Sequence, residues 1–415
     1  MHILFFVPSG RMEYTMKTTF KKVLCLVLTL ALMVPVLAAC KSDELEVPSF
    51  SDSTIKIGLT GPLTGGAAVY GTAVYNSAKL AVSEINEAGG LDGIMFSLEM
   101  IDDQHKPELV ANSYATLLEK GMQISLGTVT TAPGLEFKEL SYEDNVFFLT
   151  PSATGDAIPE YSNGFQMCFA DSNQGTASAV YFNENYQGKK VGAFYKSDDE
   201  YSTGILAKFE ESLDDSFGSI VKASFKGEES DFNQQVQALK DCDIIFMPIY
   251  YTPASQFMTA GKSVIKANAV YFGCDGLDGV DAIDGFDINS VPQEVSYLSH
   301  FNSNATTGAA ADFIKKYNET FDSEKEPLNQ FGAAAYDCVY AIFEALKAAK
   351  AEGKNIDGST SASEMCEILK AQFTGNFEYH GITGKPEADG KSSISWTENG
   401  FVNKEAVKYI VKEAN

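Results

Sequence analysis

Ile55–Gly93 reads as a strand, a glycine-rich loop and a helix, and that order leaves few folds open. Ile55, Ile57 and Leu59 alternate with Lys56 and Gly58, the period of a strand. The loop 60–71 follows, with Pro62 blocking further sheet pairing. Ala78, Ala81, Val82 and Ile85 then recur at helical spacing, and Gly89 and Gly90 end the helix, because glycine reaches the left-handed conformation there at no steric cost. This is the first half of a βαβ unit. Its loop sits at the strand's carboxyl end, where open α/β sheets bind ligands.

The alternation continues. Strands are predicted at Met95–Ile101, Ile124–Gly127 and Val146–Leu149, with helices at Pro107–Lys120 and about Ala132–Tyr142 between them. Strand and helix in turn at these lengths give a parallel sheet with helices on both faces. The pattern then restarts: helices Thr176–Tyr186, Ser202–Leu213, Phe232–Leu239 and Ala254–Ile265 separate strands Val191–Tyr195, Ile220–Phe225, Ile244–Ile249 and Val270–Gly273. Two such units do not share one sheet comfortably, so two lobes are expected. The remainder holds helices at Phe331–Ala349 and near Ser361–Gln372, and strands near Ser393–Trp396 and Ala406–Val411. Two linker-like runs, Ala351–Ser363 and Thr383–Lys391, break it, and the residues alone do not assign this part to a lobe.

The first 39 residues read as an export signal. Lys17, Lys21 and Lys22 form a basic start, and Val23–Leu37 is apolar but shorter than the ~20 residues of a membrane span. MKTTFKK at Met16 is already a complete start, so 1–15 reads as an upstream mis-start. Leu37-Ala38-Ala39-Cys40 resembles the lipobox of bacterial lipoproteins, which implies lipidation at Cys40, a polar tether over 40–53, and a protein anchored at the outer face of the cell membrane. A net charge of -25 repels nucleic acid and anionic lipid headgroups, so neither is an expected partner. Five further cysteines, Cys168, Cys242, Cys274, Cys338 and Cys366, form neither a disulfide framework nor a zinc pattern and read as buried thiols.

Catalytic signatures are missing: no GxSxG, HExxH, GxxxxGK[ST] or GxGxxG occurs, so no enzyme and no cofactor are expected. The acids in Gly273–Gly279 recur every three residues, unlike a calcium loop, and no metal is expected. What the chain offers instead is polar groups at strand carboxyl ends. Thr131 stands at the start of a helix, where it either caps that helix or also donates its hydroxyl to a ligand. Ser152 and Thr154 leave the next strand as a plain turn or as ligand groups. Tyr201 and Tyr250 follow strands of the second unit, with Tyr251 competing for the role of Tyr250. Asp275 follows the strand Val270–Gly273, and no Lys or Arg lies between Lys266 and Lys315 to pair with it. It is either a solvated turn residue or a carboxylate awaiting a positive group.

GPLTGGAAVYG, LAVSEINEAGGLDG and IDDQHKP, followed by LTPSAT at Leu149–Thr154 and DDEYSTG at Asp198–Gly204, together resemble the extracellular solute-binding proteins of branched-chain amino-acid ABC transporters, the leucine/isoleucine/valine-binding type. The resemblance covers nearly all of the chain after residue 54. It implies the type I periplasmic-binding-protein fold, two doubly wound parallel-sheet α/β lobes joined by a multi-strand hinge. Lobe 1 would take 54–170 and 302–376, and lobe 2 would take 171–301 and 377–415. It implies a monomer that captures an amino acid, branched-chain or otherwise apolar, and delivers it to the permease subunits. In the family pattern Thr131 binds the ligand's α-carboxylate, Ser152 offers its carbonyl to the ammonium, Thr154 binds either group, and Asp275 takes the ammonium. Tyr70 and Phe331 match positions that flank the ligand side chain, while Tyr201 and Tyr250, by their place after strands, either close over a ligand or pack between the lobes. Thr130 stands where well-known members have a disulfide cysteine, and Asp275 where some have Glu, so an amide, urea or aromatic acid stays open as the ligand. Two other classes compete. An anchored hydrolase lacks its nucleophile and metal motifs, and a sensory ectodomain would be followed by a membrane helix, which the sequence to Asn415 does not hold.

Overall fold

The computed structural model describes residues 45–375, 377–384, 387, 390–404 and 407–414. The expected signal peptide and Cys40 lie outside these residues. Strand β1 (Thr54–Gly61) is buried over its whole length. Ile55, Ile57 and Leu59 face helix α1 (Ala68–Glu87) and the alanine-rich helix α9 (Gln330–Ala351), sharing one core with Val74, Ala78, Val82, Ala334 and Cys338. On the other face Gly58 lies under Met122 and Leu117, where a Cβ would overlap the methionine sulfur. Lys56, inside this strand, survives burial because its Nζ donates to the Gly358 carbonyl at 3.0 Å.

Parallel partners β2 (Met95–Asp102), β3 (Ile124–Ser125), β4 (Phe148–Thr150) and β5 (Gly164–Gln166) complete a sheet in the order β2-β1-β3-β4-β5. Helices α2 (Pro107–Glu119) and α3 (Thr131–Glu143) connect them. The second sheet repeats that order. Strands β6 (Val191–Lys196), β7 (Val221–Phe225), β8 (Ile244–Met247), β9 (Val270–Gly273) and β10 (Glu294–Ser299) lie as β7-β6-β8-β9-β10. β14 (Val407–Lys412) is added antiparallel at the β10 edge. Helices α4 (Asp171–Asn185), α5 (Glu200–Ser212), α6 (Asn233–Leu239) and α7 (Tyr251–Gly261) wind around this sheet. Phe182, Phe209 and Phe246 pack between α4, α5 and β8, with ring centroids 5.0 and 4.1 Å apart. Each such ring contributes about 1.5–3 kcal/mol by leaving water.

Helices α8 (Gly308–Thr320) and α10 (Ala362–Phe373) join α9 on the first lobe. Lys316 of α8 pairs with Glu84 of α1 at 2.6 Å, and Phe373 of α10 packs on Phe147 and Phe165. A small sheet, β11 (Tyr379–Gly381), β12 (Ser392–Trp396) and β13 (Val402–Asn403), also sits there. Trp396 packs at a tilt against Phe373, ring centroids 4.5 Å apart, and donates its indole N–H to the Gln166 carbonyl at 2.8 Å. The described strands β11, β12 and β13 therefore contact the first lobe, where the expectation placed 377–415 on the second, and β14 enters the second sheet. The reason is the indole, which buries against Phe373 and finds its acceptor on β5.

The chain passes between the sheets three times, after β5, after β10 and before β14. Lys404 ties two crossings together by donating to the Met167 carbonyl at 2.7 Å. The five cysteines after Cys40 are free and buried.

Candidate ligand-binding cleft

Both sheets direct their strand carboxyl ends into the gap between the lobes. The glycine-rich loop after β1 is held by Asp102, whose carboxylate accepts from Leu63 N at 2.9 Å and Thr64 Oγ1 at 2.6 Å. That fixes the start of α1 and with it Tyr70. The Tyr70 hydroxyl donates to the Gly276 carbonyl of the other lobe, and its ring meets Phe331 edge-on at 4.9 Å. Thr252 Oγ1 donates to the Gly66 carbonyl at 2.8 Å and Gln330 N to Asp278 at 2.9 Å. The lobes are closed on each other.

On the first lobe, Thr131 opens α3, and neither it nor the N-cap residue Thr130 caps the helix through its side chain. Thr131 Oγ1 accepts from Gly155 N at 3.3 Å and lies 3.4 Å from Thr154 Oγ1. Ser152 donates its hydroxyl to the Val129 carbonyl, so that hydroxyl is already engaged. Two threonine hydroxyls and an uncapped helix N-terminus together form an electropositive, hydrogen-bonding wall suited to a carboxylate.

On the second lobe, Tyr201 in the first turn of α5 donates to Asp275 Oδ1 at 2.8 Å and accepts from Gly276 N at 2.9 Å. Its ring stacks on Tyr250, centroids 4.6 Å apart and 11° from parallel. Asp275 N is held by Gln174 at 3.0 Å. Asp275 is 1% exposed and its Oδ2 has no partner among the described residues. Burial pushes its carboxyl up to about 7, against the lowering hydrogen bond from Tyr201. Tyr250 and Tyr251 divide the work left open between them. Tyr250 faces Asp199, Asp171 and Asp275, with burial the main force raising its phenol. Tyr251 stands edge-on to Tyr70 at 4.8 Å and accepts from Val69 N at 3.3 Å.

All eight candidate residues thus surround one cleft: Tyr70, Thr131, Ser152, Thr154 and Phe331 from one lobe, and Tyr201, Tyr250 and Asp275 from the other. Three neighbours were not singled out from sequence. Asp171 and Gln174 open α4, in a polar run that reads as a loop. His105 follows Gln104, and both adopt left-handed backbone at φ 61° and 55°. Asp103 supports that turn by accepting from His105 N at 2.9 Å. His105 Nδ1 lies 2.8 Å from Thr130 Oγ1, and its ring meets Tyr250 edge-on at 5.1 Å. Burial, with Lys196 adding to it, holds this imidazole neutral, its pKa down to about 4. A hydrogen bond therefore fixes Thr130 where the resemblance has a disulfide. A separate open groove of about 770 Å³ runs between α8, α9 and β11, but its lining mixes Lys316 and Lys347 with Asp312 and Glu344 and has no convergent polar centre.

A family model described as periplasmic binding protein matches residues 54–388. The chain belongs to that family. Among its relatives is the Leu/Ile/Val-binding protein BraC3 of Rhizobium johnstonii, 28% identical over 246 residues, 58% of this chain and 66% of that protein. The branched-chain amino acid transporter substrate binding protein LivJ of Streptococcus pneumoniae, solved with isoleucine, is 26% identical with a TM-score of 0.68, covering 86% of this chain and 100% of that one. A solute binding protein from R. palustris, solved with benzoate, shares the fold at 18% identity and a TM-score of 0.72, covering 87% and 94%. The type I fold and the branched-chain family read from the sequence are borne out.

Proposed function

We propose that this protein captures an amino acid, branched-chain or otherwise apolar, between its lobes and delivers it to an ABC permease from a lipid anchor at Cys40. The observation that carries the reading is the buried oxygen of Asp275, without a partner among the described residues, across the cleft from the Thr131 and Thr154 hydroxyls. A zwitterion satisfies both sides at once, with its carboxylate on the helix N-terminus and its ammonium on the aspartate. An aromatic acid has no ammonium and leaves Asp275 without a cation. Delivery to a permease rests on the family, whose relatives are binding proteins.

A thermal-shift panel of leucine, isoleucine, valine, benzoate, acetamide and urea tests the ligand class. A cognate amino acid at ~100-fold over Kd is expected to stabilise by ~2.7 kcal/mol. Stabilisation by benzoate or the amides alone, with none from the amino acids, would show the reading to be wrong. For the anchor, Cys40→Ala is expected to leave unlipidated precursor in the producing cell. A variant of the same mature mass that still partitions into detergent would count against lipidation at Cys40.

A further inference from the structure

Asp171 is the first residue of α4 and is 2% exposed. An acid in a helix's first turn ordinarily interacts with the dipole while staying in water. Asp171 does not stay in water. Its backbone N–H donates to the Thr154 carbonyl at 2.8 Å, and Thr154 also hydrogen-bonds its side chain. Its Oδ1 has no partner among the described residues. One turn on, Gln174 reaches Asp275 N, so the start of α4 lies against the Asp275 loop. Two carboxylates therefore share one dry cleft, and the charge of Asp275 works against that of Asp171. A buried charge without a counter-ion is costly, and two like charges are more so.

We propose that Asp171 is a second carboxylate of the binding site, sharing the ligand's ammonium group with Asp275. This rests on the amino-acid reading of the cleft. Asp171 then stands between the two poles, joined to the carboxylate wall through Thr154 and to the ammonium directly. One cation relieves the repulsion between two buried anions, so the site favours ammonium-bearing ligands more sharply than a single aspartate does.

Calorimetry on wild type, Asp171→Asn and Asp275→Asn, with leucine, isoleucine, valine and their 2-hydroxy analogues, tests this. Asp171→Asn is expected to weaken the tightest of the amino acids by at least ~30-fold, the lower end for truncating a buried charge pair. Affinity for the matching 2-hydroxy acid should stay within about threefold, which a merely structural role of Asp171 would not arrange. Asp275→Asn should still prefer the ammonium form by at least ~10-fold, because Asp171 remains. That second variant keeps the test sharp if Asp171→Asn fails to fold. Unchanged amino-acid affinity in folded Asp171→Asn, equal losses for both ligand types, or no remaining preference in Asp275→Asn would overturn the proposal. A wild type that binds none of the three amino acids, nor alanine, methionine or phenylalanine, would instead overturn the amino-acid reading, and this inference with it.

Discussion

Asp275→Ala is expected to fold as wild type does and to lose ~2–5 kcal/mol of binding to the cognate amino acid, as truncation of one member of a buried charge pair does. The residue is nearly inaccessible, and Tyr201 gives it one neutral hydrogen bond. Around it stand Asp171 from α4, Tyr250 before α7, and Cys274 and Asp278 from its own loop; none of these supplies positive charge. The sign of the pH dependence follows. With the lobes closed, burial pushes its carboxyl up to about 7, against ~3.9 in the unfolded chain. The closed fold then binds the extra proton between about 4 and 7, so the stability of the closed arrangement falls as pH rises through that window. Ligand affinity runs the other way, rising as pH climbs toward 7 and the proton leaves. Calorimetry from pH 5 to 8 checks both features. Near-wild-type affinity in Asp275→Ala, or a wild-type affinity that falls as pH rises, would remove Asp275 from the site.

Gly71→Ala is expected to damage folding and binding together. Gly71 lies in the first turn of α1, and a Cβ there would run into the carbonyl of Pro62. The obstacle is backbone, held by the hydrogen bonds that Asp102 makes to Leu63 and Thr64, so no side chain can swing aside. Overpacking costs about 1–3 kcal/mol where relief is possible and more where it is not. The next residue back is Tyr70, whose hydroxyl reaches Gly276 across the cleft. Moving the loop moves that contact. We expect a melting temperature lower by at least ~5 °C and an affinity lower by at least ~10-fold. A variant that melts and binds like wild type would mean the loop has slack that its close contacts deny.

Most of this architecture is legible in the sequence because buried parallel strands are short apolar runs between amphipathic helices. The observed β2, β6, β9 and α9 fall within a residue or two of their expected limits. Where the reading failed, the signal was physically weak. β10 carries Glu294, Ser296 and Ser299 among its apolar residues, because Glu294 is paired with Lys408 of β14 and a strand with neighbours on both edges tolerates polar positions. α8 buries only Phe313 and Tyr317, too thin a stripe to stand out. β5, β11 and β13 are too short to show any period. The candidate residues at strand ends stand out in the sequence by their position together with the resemblance to the family. Asp171, Gln174 and His105 were not, because polar residues that face a cleft look in sequence like polar residues that face water.

The repeated strand order gives the molecule a logical character. Each lobe ends its strands at the shared gap, but the two present opposite chemistry: an uncapped helix with threonines on one side, a buried aspartate on the other. Under the proposed function neither half holds a zwitterion well by itself. A ligand with only one of the two charges engages one lobe and gives the other no reason to follow. Closure then works as a coincidence detector, in which the shut form reports that both ends of the ligand were recognised.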